Sequence, residues 1–155
     1  MCASHCGEEF HTTTVQAMLD RIGLDKSALR CGIPPPINKA TAAALEAAGH
    51  KPTTLHSNCS GKHSGMLAMA RFLAVDHEGY TEPEHPVQQR ILALLSEFVD
   101  LPAKKITLAS DGCTVPTFGM PLYNFALGLA RLVQPDRWAP VRQAACRRIV
   151  HAMQT

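Results

Sequence analysis

The stretch Ser57-Asn58-Cys59-Ser60-Gly61-Lys62-His63-Ser64-Gly65-Met66-Leu67-Ala68-Met69-Ala70-Arg71-Phe72-Leu73-Ala74 decides how this chain is read, because a polar, serine-rich loop passes without a break into an apolar segment. From Gly61 onward the spacing predicts a helix, with Met66, Met69, Ala70 and Leu73 facing inward. Cys59 and Lys62 stand three residues apart and so share one face of its first turn. The partial positive charge of a helix start favours a thiolate at Cys59 and disfavours an ammonium at Lys62. Both groups are therefore expected in metal-binding or nucleophilic forms.

Toward the N-terminus, Thr12-Thr13-Thr14 offers an N-cap ahead of Val15, Met18, Leu19 and Ile22, a short amphipathic helix ending at Gly23. Asp25 to Arg30 reads as a helical turn or two, and Gly32 with Pro34-Pro35-Pro36 then forbids regular structure. Asn38 caps a helix from Lys39 to Ala48, with Gly49 as its C-cap glycine.

Toward the C-terminus, a core helix is expected from about Pro86 to Leu101, with Val87, Ile91, Leu94, Leu95 and Phe98 as its apolar face. Ile106 to Ala109 is the one convincing strand, and a lone short strand needs partners. Two further helices, about Leu122 to Val133 and Pro140 to Met153, follow. The expected class is mixed α+β and mostly helical, in a single domain without repeats, low-complexity segments or long linkers.

Composition limits the functions available. With 46% hydrophobic and 18% charged residues in 155, the chain is globular rather than disordered. Its net charge of +2 comes from scattered Lys and Arg, and aromatics are 5%, so no basic stripe with stacking rings points to nucleic acid. Arg142, Arg147 and Arg148 read as the solvated face of a helix. Six cysteines, at positions 2, 6, 31, 59, 113 and 146, are spread too widely for a secreted disulfide framework. Met1 to Phe10 lacks the apolar core of a signal peptide and no run reaches membrane-spanning length, so a cytoplasmic protein without membrane partners is expected.

A second chemical cluster, Ser110-Asp111-Gly112-Cys113, follows the strand. Asp111 and Cys113 would point the same way if the backbone there is extended. Two thiolates, a carboxylate and a neutral amine make a four-ligand zinc set, with lysine a rare ligand because it must first lose a proton. Spacing alone leaves open both this set and two unrelated buried cysteines, and favours the second.

The string Asn58-Cys59-Ser60-Gly61-Lys62-His63, followed by Ser110-Asp111-Gly112-Cys113 and Pro116-Thr117, closely resembles the paired signatures of the L-asparaginase II family, the thermolabile, zinc-associated rhizobial type. Cys2-Ala3-Ser4-His5, Gly7-Glu8 and Cys31-Gly32 match it in order and spacing, so the resemblance covers nearly the whole chain. It implies zinc held by Cys59, Lys62, Asp111 and Cys113, a fold similar to serine β-lactamases and penicillin-binding proteins, and a homodimer. The implied reaction hydrolyses L-asparagine to L-aspartate and ammonia through a serine activated by a lysine. Ser4 matches the serine of one Ser-Lys pair, whose lysine is expected in a C-terminal segment beyond this sequence. The other pair is a Ser-x-x-Lys motif expected upstream, and no lysine here has a serine three residues before it. On this reading residues 1–155 form one partial domain, truncated at both ends, and the alternative is an inactive homologue that binds zinc or a partner. Pro34 stands where relatives usually carry histidine, and Cys6 where serine is usual.

Individual residues carry competing readings. Ser4 and His5 fit either a site or a frayed polar end, and Glu8 either a substrate contact or a solvated carboxylate. Cys2, His5, Cys6 and His11 suit a second metal site poorly. Asn58 and Ser60 are helix caps or substrate contacts. His63 fits either a group that orients a ligand or a water or, more commonly at a helix start, a hydrogen-bonded surface residue, and is assigned to neither. Cys31 and Cys146 are expected as core, Gly112 as the residue that permits a tight turn, and Gly61 as a point of close backbone approach.

Overall fold

The computed structural model describes residues 4–154, so Cys2, with its share in the opening motif and in the second metal reading, lies outside the described residues. The described chain is mixed α/β and mostly helical. Its helices are α1 (Glu9–Arg21), α2 (Lys39–Ala47), α3 (Ser60–Phe72), α4 (Pro86–Val99), α5 (Leu122–Val133) and α6 (Pro140–Gln154). Between α4 and α5 lies an antiparallel hairpin of β1 (Thr107–Ser110) and β2 (Pro116–Gly119).

Helix α1 starts at least four residues earlier than its threonines suggested, with Glu8 as its N-cap. Glu9 places a carboxylate in the first turn, where the helix start favours it. Thr12 and Thr14 then lie inside the helix and donate their hydroxyls back to the Glu9 and Phe10 carbonyls, at 2.9 and 2.6 Å. Helix α2 follows its local signals: the Asn38 side chain accepts from the Thr41 N–H, and Gly49 takes φ +68° past the end.

Helix α3 is turned relative to expectation. Its buried face is Ser60, Gly61, His63, Ser64, Leu67 and Ala70, while Met66, Met69 and Leu73 are half-buried at its flank. Its polar first turn can face inward because each group has somewhere to bond. Ser60 bonds to His5 and to the Leu55 carbonyl, His63 to Tyr80, and Ser64 to the Gly61 carbonyl. Leu67 joins Val15 and Leu19 of α1, Leu29, Cys31, Tyr80, Cys113 and Val115 in one core, so the hairpin turn is anchored directly against α1 and α3.

The strand pairing runs Thr107↔Gly119, Leu108↔Phe118, Ala109↔Thr117 and Ser110↔Pro116. The partner strand begins at a proline, which is tolerated at a strand's first residue. Helices α4, α5 and α6 pack as a second group. Asn124 and Arg131 of α5 donate to the Val99 and Phe98 carbonyls that the end of α4 leaves unpaired, at 2.9 and 3.0 Å. A cavity of about 520 Å³ lies among these helices, lined by Leu94, Phe98, Leu129 and Ile149 among others. Leu94, expected inward, is accordingly 38% exposed. Among the described residues no helix is long and apolar enough to cross a membrane.

Candidate metal centre

The site is built from two segments, the start of α3 and the turn between β1 and β2. Cys59 occupies the N-cap position of α3. In the turn, Thr114 N–H donates to the Asp111 carbonyl at 2.9 Å, and Asp111 N–H donates to the Val115 carbonyl at 2.8 Å. This is a three-residue hairpin loop, a tight turn closed by one residue in the left-handed region. That residue is Thr114, at φ +76°, and not Gly112, whose backbone stays in ordinary space. Asp111 and Cys113 therefore converge through a turn rather than through extended backbone. Thr114 is held there by its hydroxyl, which donates to the Arg30 carbonyl at 3.2 Å.

The turn carries its ligand atoms to α3. Donor atoms of Cys59, Asp111 and Cys113 lie within 4.8 Å of one another. Lys62 Nζ is 2.7 Å from Asp111 Oδ2, the Cys113 thiol is 3.3 Å from the same oxygen, and Gly112 N–H donates to Asp111 Oδ1 at 2.7 Å. A tetrahedral zinc shell of sulfur and oxygen needs donors roughly 3.3–3.8 Å apart, from bonds of about 2.0–2.3 Å. The donor types fit such an ion, and their spread would have to close by roughly 1 Å or more to bind it. Cys113 is buried, Cys59 half-buried and Asp111 exposed, so the cluster sits at the surface with its sulfur side in the core.

Proton states differ from the expectation at the helix start. Burial and the adjacent Cys113 thiol push Cys59 up to about 11, outweighing the Lys62 charge. Burial opposes the Lys62 ammonium, but the Asp111 carboxylate and the two cysteines outweigh it and hold Lys62 above the ordinary lysine value. The Lys62 bond, then Cys113 and the Gly112 N–H, hold Asp111 below the usual carboxylate range. Cys59 is thus a thiol and Lys62 an ammonium at neutral pH, and a metal must displace both protons.

Ser4 and His5 are tied down rather than frayed. Asn58 Nδ2 donates to Ser4 Oγ at 3.2 Å, and the Asn58 carbonyl accepts from His5 N–H at 3.0 Å. Ser4, itself exposed, is thereby held one residue from Cys59. Gly7 N–H donates to His5 Nδ1, so His5 carries its proton on Nε2 and gives it to Ser60 Oγ at 2.8 Å. With both nitrogens engaged, His5 has none left for a metal, and the second metal reading fails there. Asn58 and Ser60 act as these ties and not as caps. Glu8 is half-buried, with an oxygen 3.9 Å from His11. Cys31 and Cys146 are buried, as expected of core cysteines.

Of the two readings of His63, the surface residue is excluded. His63 is fully buried, its Nδ1 is 2.6 Å from the hydroxyl of buried Tyr80, and its Nε2 has no hydrogen-bond partner among the described residues. Burial, then the Lys62 ammonium, push it down to about 4, against the smaller pull of the Cys113 main chain and Asp111. Tyr80, Arg30 and Thr114 were not singled out in the sequence. The available signal was weak: Tyr80 is one of two tyrosines, and a buried tyrosine hydroxyl requires a partner.

Two segments meeting at a helix start form a cysteine- and carboxylate-rich group that could hold a metal ion. Residues 1–155 match L-asparaginase II, and the chain belongs to that family. No curated protein matches the chain.

Proposed function

We propose that this protein is an amidohydrolase of the asparaginase type, acting on L-asparagine and water to give L-aspartate and ammonia. Cys59, Lys62, Asp111 and Cys113 would hold zinc beside the substrate. The observation that carries the reading is the convergence of Cys59, Lys62, Asp111 and Cys113 from segments about fifty residues apart in sequence, in a chain of this family. Ser4 is the serine this chain offers to Ser-Lys acyl transfer, and its tie to Asn58 supports a place next to the cluster. Bound zinc would supply fixed positive charge and Lewis acidity at the edge of the pocket. The protein's own contribution is to orient: Asn58 holds the Ser4 hydroxyl, and the turn holds Asp111 and Cys113.

The reading extends to a cytoplasmic, homodimeric protein with a fold like the serine β-lactamases. All four residues of β1 are exposed, an edge that a larger sheet would pair. A second reading, a non-catalytic zinc-binding or interaction protein, is favoured by one observation: Lys62, the lysine of the cluster, bonds to Asp111 and not to a serine hydroxyl. Ammonia release from L-asparagine separates the two. The purified chain with zinc should release ammonia, and Ser4→Ala and Cys59→Ser should lose it. Folded, zinc-loaded protein that releases none would support the non-catalytic reading.

A further inference from the structure

We infer that His63 and Tyr80 are positioning residues, forming a hydrogen-bonded path that sets the separation between the α3 ligands and the turn that carries Asp111 and Cys113. The inference rests on the metal-binding reading above. The path starts at Arg30, whose N–H donates to Tyr80 Oη at 2.9 Å. A backbone N–H can only donate, so the Tyr80 oxygen accepts there, and its own proton is free to go to His63 Nδ1, 2.6 Å away, when His63 carries its proton on Nε2. His63 adjoins Lys62 in α3. From the other side of Arg30, its carbonyl accepts the Thr114 hydroxyl at 3.2 Å, and Thr114 adjoins Cys113. Both ligand segments are thus fastened to the same residue, one through its carbonyl and the other through its N–H.

Stability alone does not call for this pair. His63 is fully buried, Tyr80 is 1% exposed, and they meet edge to face with ring centres 5.5 Å apart. An apolar pair of similar size would fill the same space without burying an imidazole and a phenol hydroxyl. Tyr80 is further fixed from behind, where Gln88 Nε2 donates to its carbonyl at 2.8 Å. Groups that orient ligands from behind are a recurrent part of metal sites, and their loss costs about 10–100-fold in affinity.

The test is a titration with Co²⁺ alone, followed by thiolate-to-metal absorption, on wild type, Tyr80→Phe, His63→Leu, His63→Asn and the double variant Tyr80→Phe/His63→Leu. Urea unfolding of each metal-free protein measures stability separately. Tyr80→Phe and His63→Leu should weaken Co²⁺ binding about tenfold or more. His63→Asn keeps an acceptor where Nδ1 stood and should bind close to wild type. The double variant should be no weaker than the singles, since either change breaks the same path. Folded Tyr80→Phe and His63→Leu that bind as wild type would overturn the inference alone, as would affinity losses in His63→Asn equal to those in His63→Leu. Wild-type protein that binds no Co²⁺ would overturn the metal reading and this inference with it.

Discussion

Lys62 Nζ lies 2.7 Å from Asp111 Oδ2, and this contact joins the start of α3 to the β1–β2 turn across 49 positions of sequence. The lysine side chain is 23% exposed and the carboxylate 43%, so water screens the pair. As an ion pair it contributes little to folding. Lys62→Met should therefore change stability by less than about 1 kcal/mol while weakening zinc binding far more. Urea unfolding and a competitive zinc titration on the same variant check this; a stability loss matched by no loss of zinc affinity would make Lys62 a structural partner of Asp111 and nothing more.

Zinc uptake should release protons. Cys59, at about 11, and Lys62, above its ordinary value, are protonated near neutrality, whereas Asp111, held below the carboxylate range, is already ionised. Affinity should rise with pH between 6 and 8, and calorimetry in buffers of different ionisation enthalpy should find about two or more protons lost per zinc. Uptake with no net proton release contradicts these proton states.

His63 should shape the acid limb of stability. Its value is about 4 in the fold against 6.5 when exposed, so between those values the unfolded chain binds more protons than the native one. The contribution is fully present above pH 6.5 and is lost as pH falls through 4. His5, also lowered by burial and by His11, acts in the same direction. Urea midpoints of His63→Asn should fall less steeply than wild type over this window; parallel slopes would show that His63 does not titrate in it.

Thr114 pays for its φ of +76° with one side-chain bond. Thr114→Ala keeps the strain and loses the bond, and should cost about 1 kcal/mol. Thr114→Gly loses the bond but relieves the left-handed conformation, which strains a side chain by about 1–2 kcal/mol. The glycine variant should be the more stable of the two in chemical denaturation. The reverse order would mean that the turn does not hold Thr114 in this conformation.

Legibility followed the range of the forces involved. Helix α2 was readable from Asn38 to Gly49 because its cap and its end are set by neighbours three or four residues away. The inward face of α3 was not, because what lets Ser60 and His63 turn inward are His5 and Tyr80, 55 and 17 positions distant. Strand β2 escaped notice because Pro116-Thr117-Phe118-Gly119 begins and ends with residues that disfavour strands, and its pairing with β1 overrides them. At the site, residue types and motif order singled out Cys59, Lys62, Asp111 and Cys113, but their proton states were read from the helix start alone. Burial and cross-chain neighbours such as Cys113 reverse that local field, and the sequence carries no direct trace of them.

The most direct measurement is zinc K-edge X-ray absorption on the purified, zinc-loaded chain. Two sulfur neighbours at about 2.3 Å and two nitrogen or oxygen neighbours at about 2.0–2.2 Å, with sulfur scattering falling by half in Cys113→Ser, are the result expected of Cys59, Lys62, Asp111 and Cys113. A shell of nitrogen and oxygen alone, or zinc retained unchanged in Cys59→Ser and Cys113→Ser, would contradict the site.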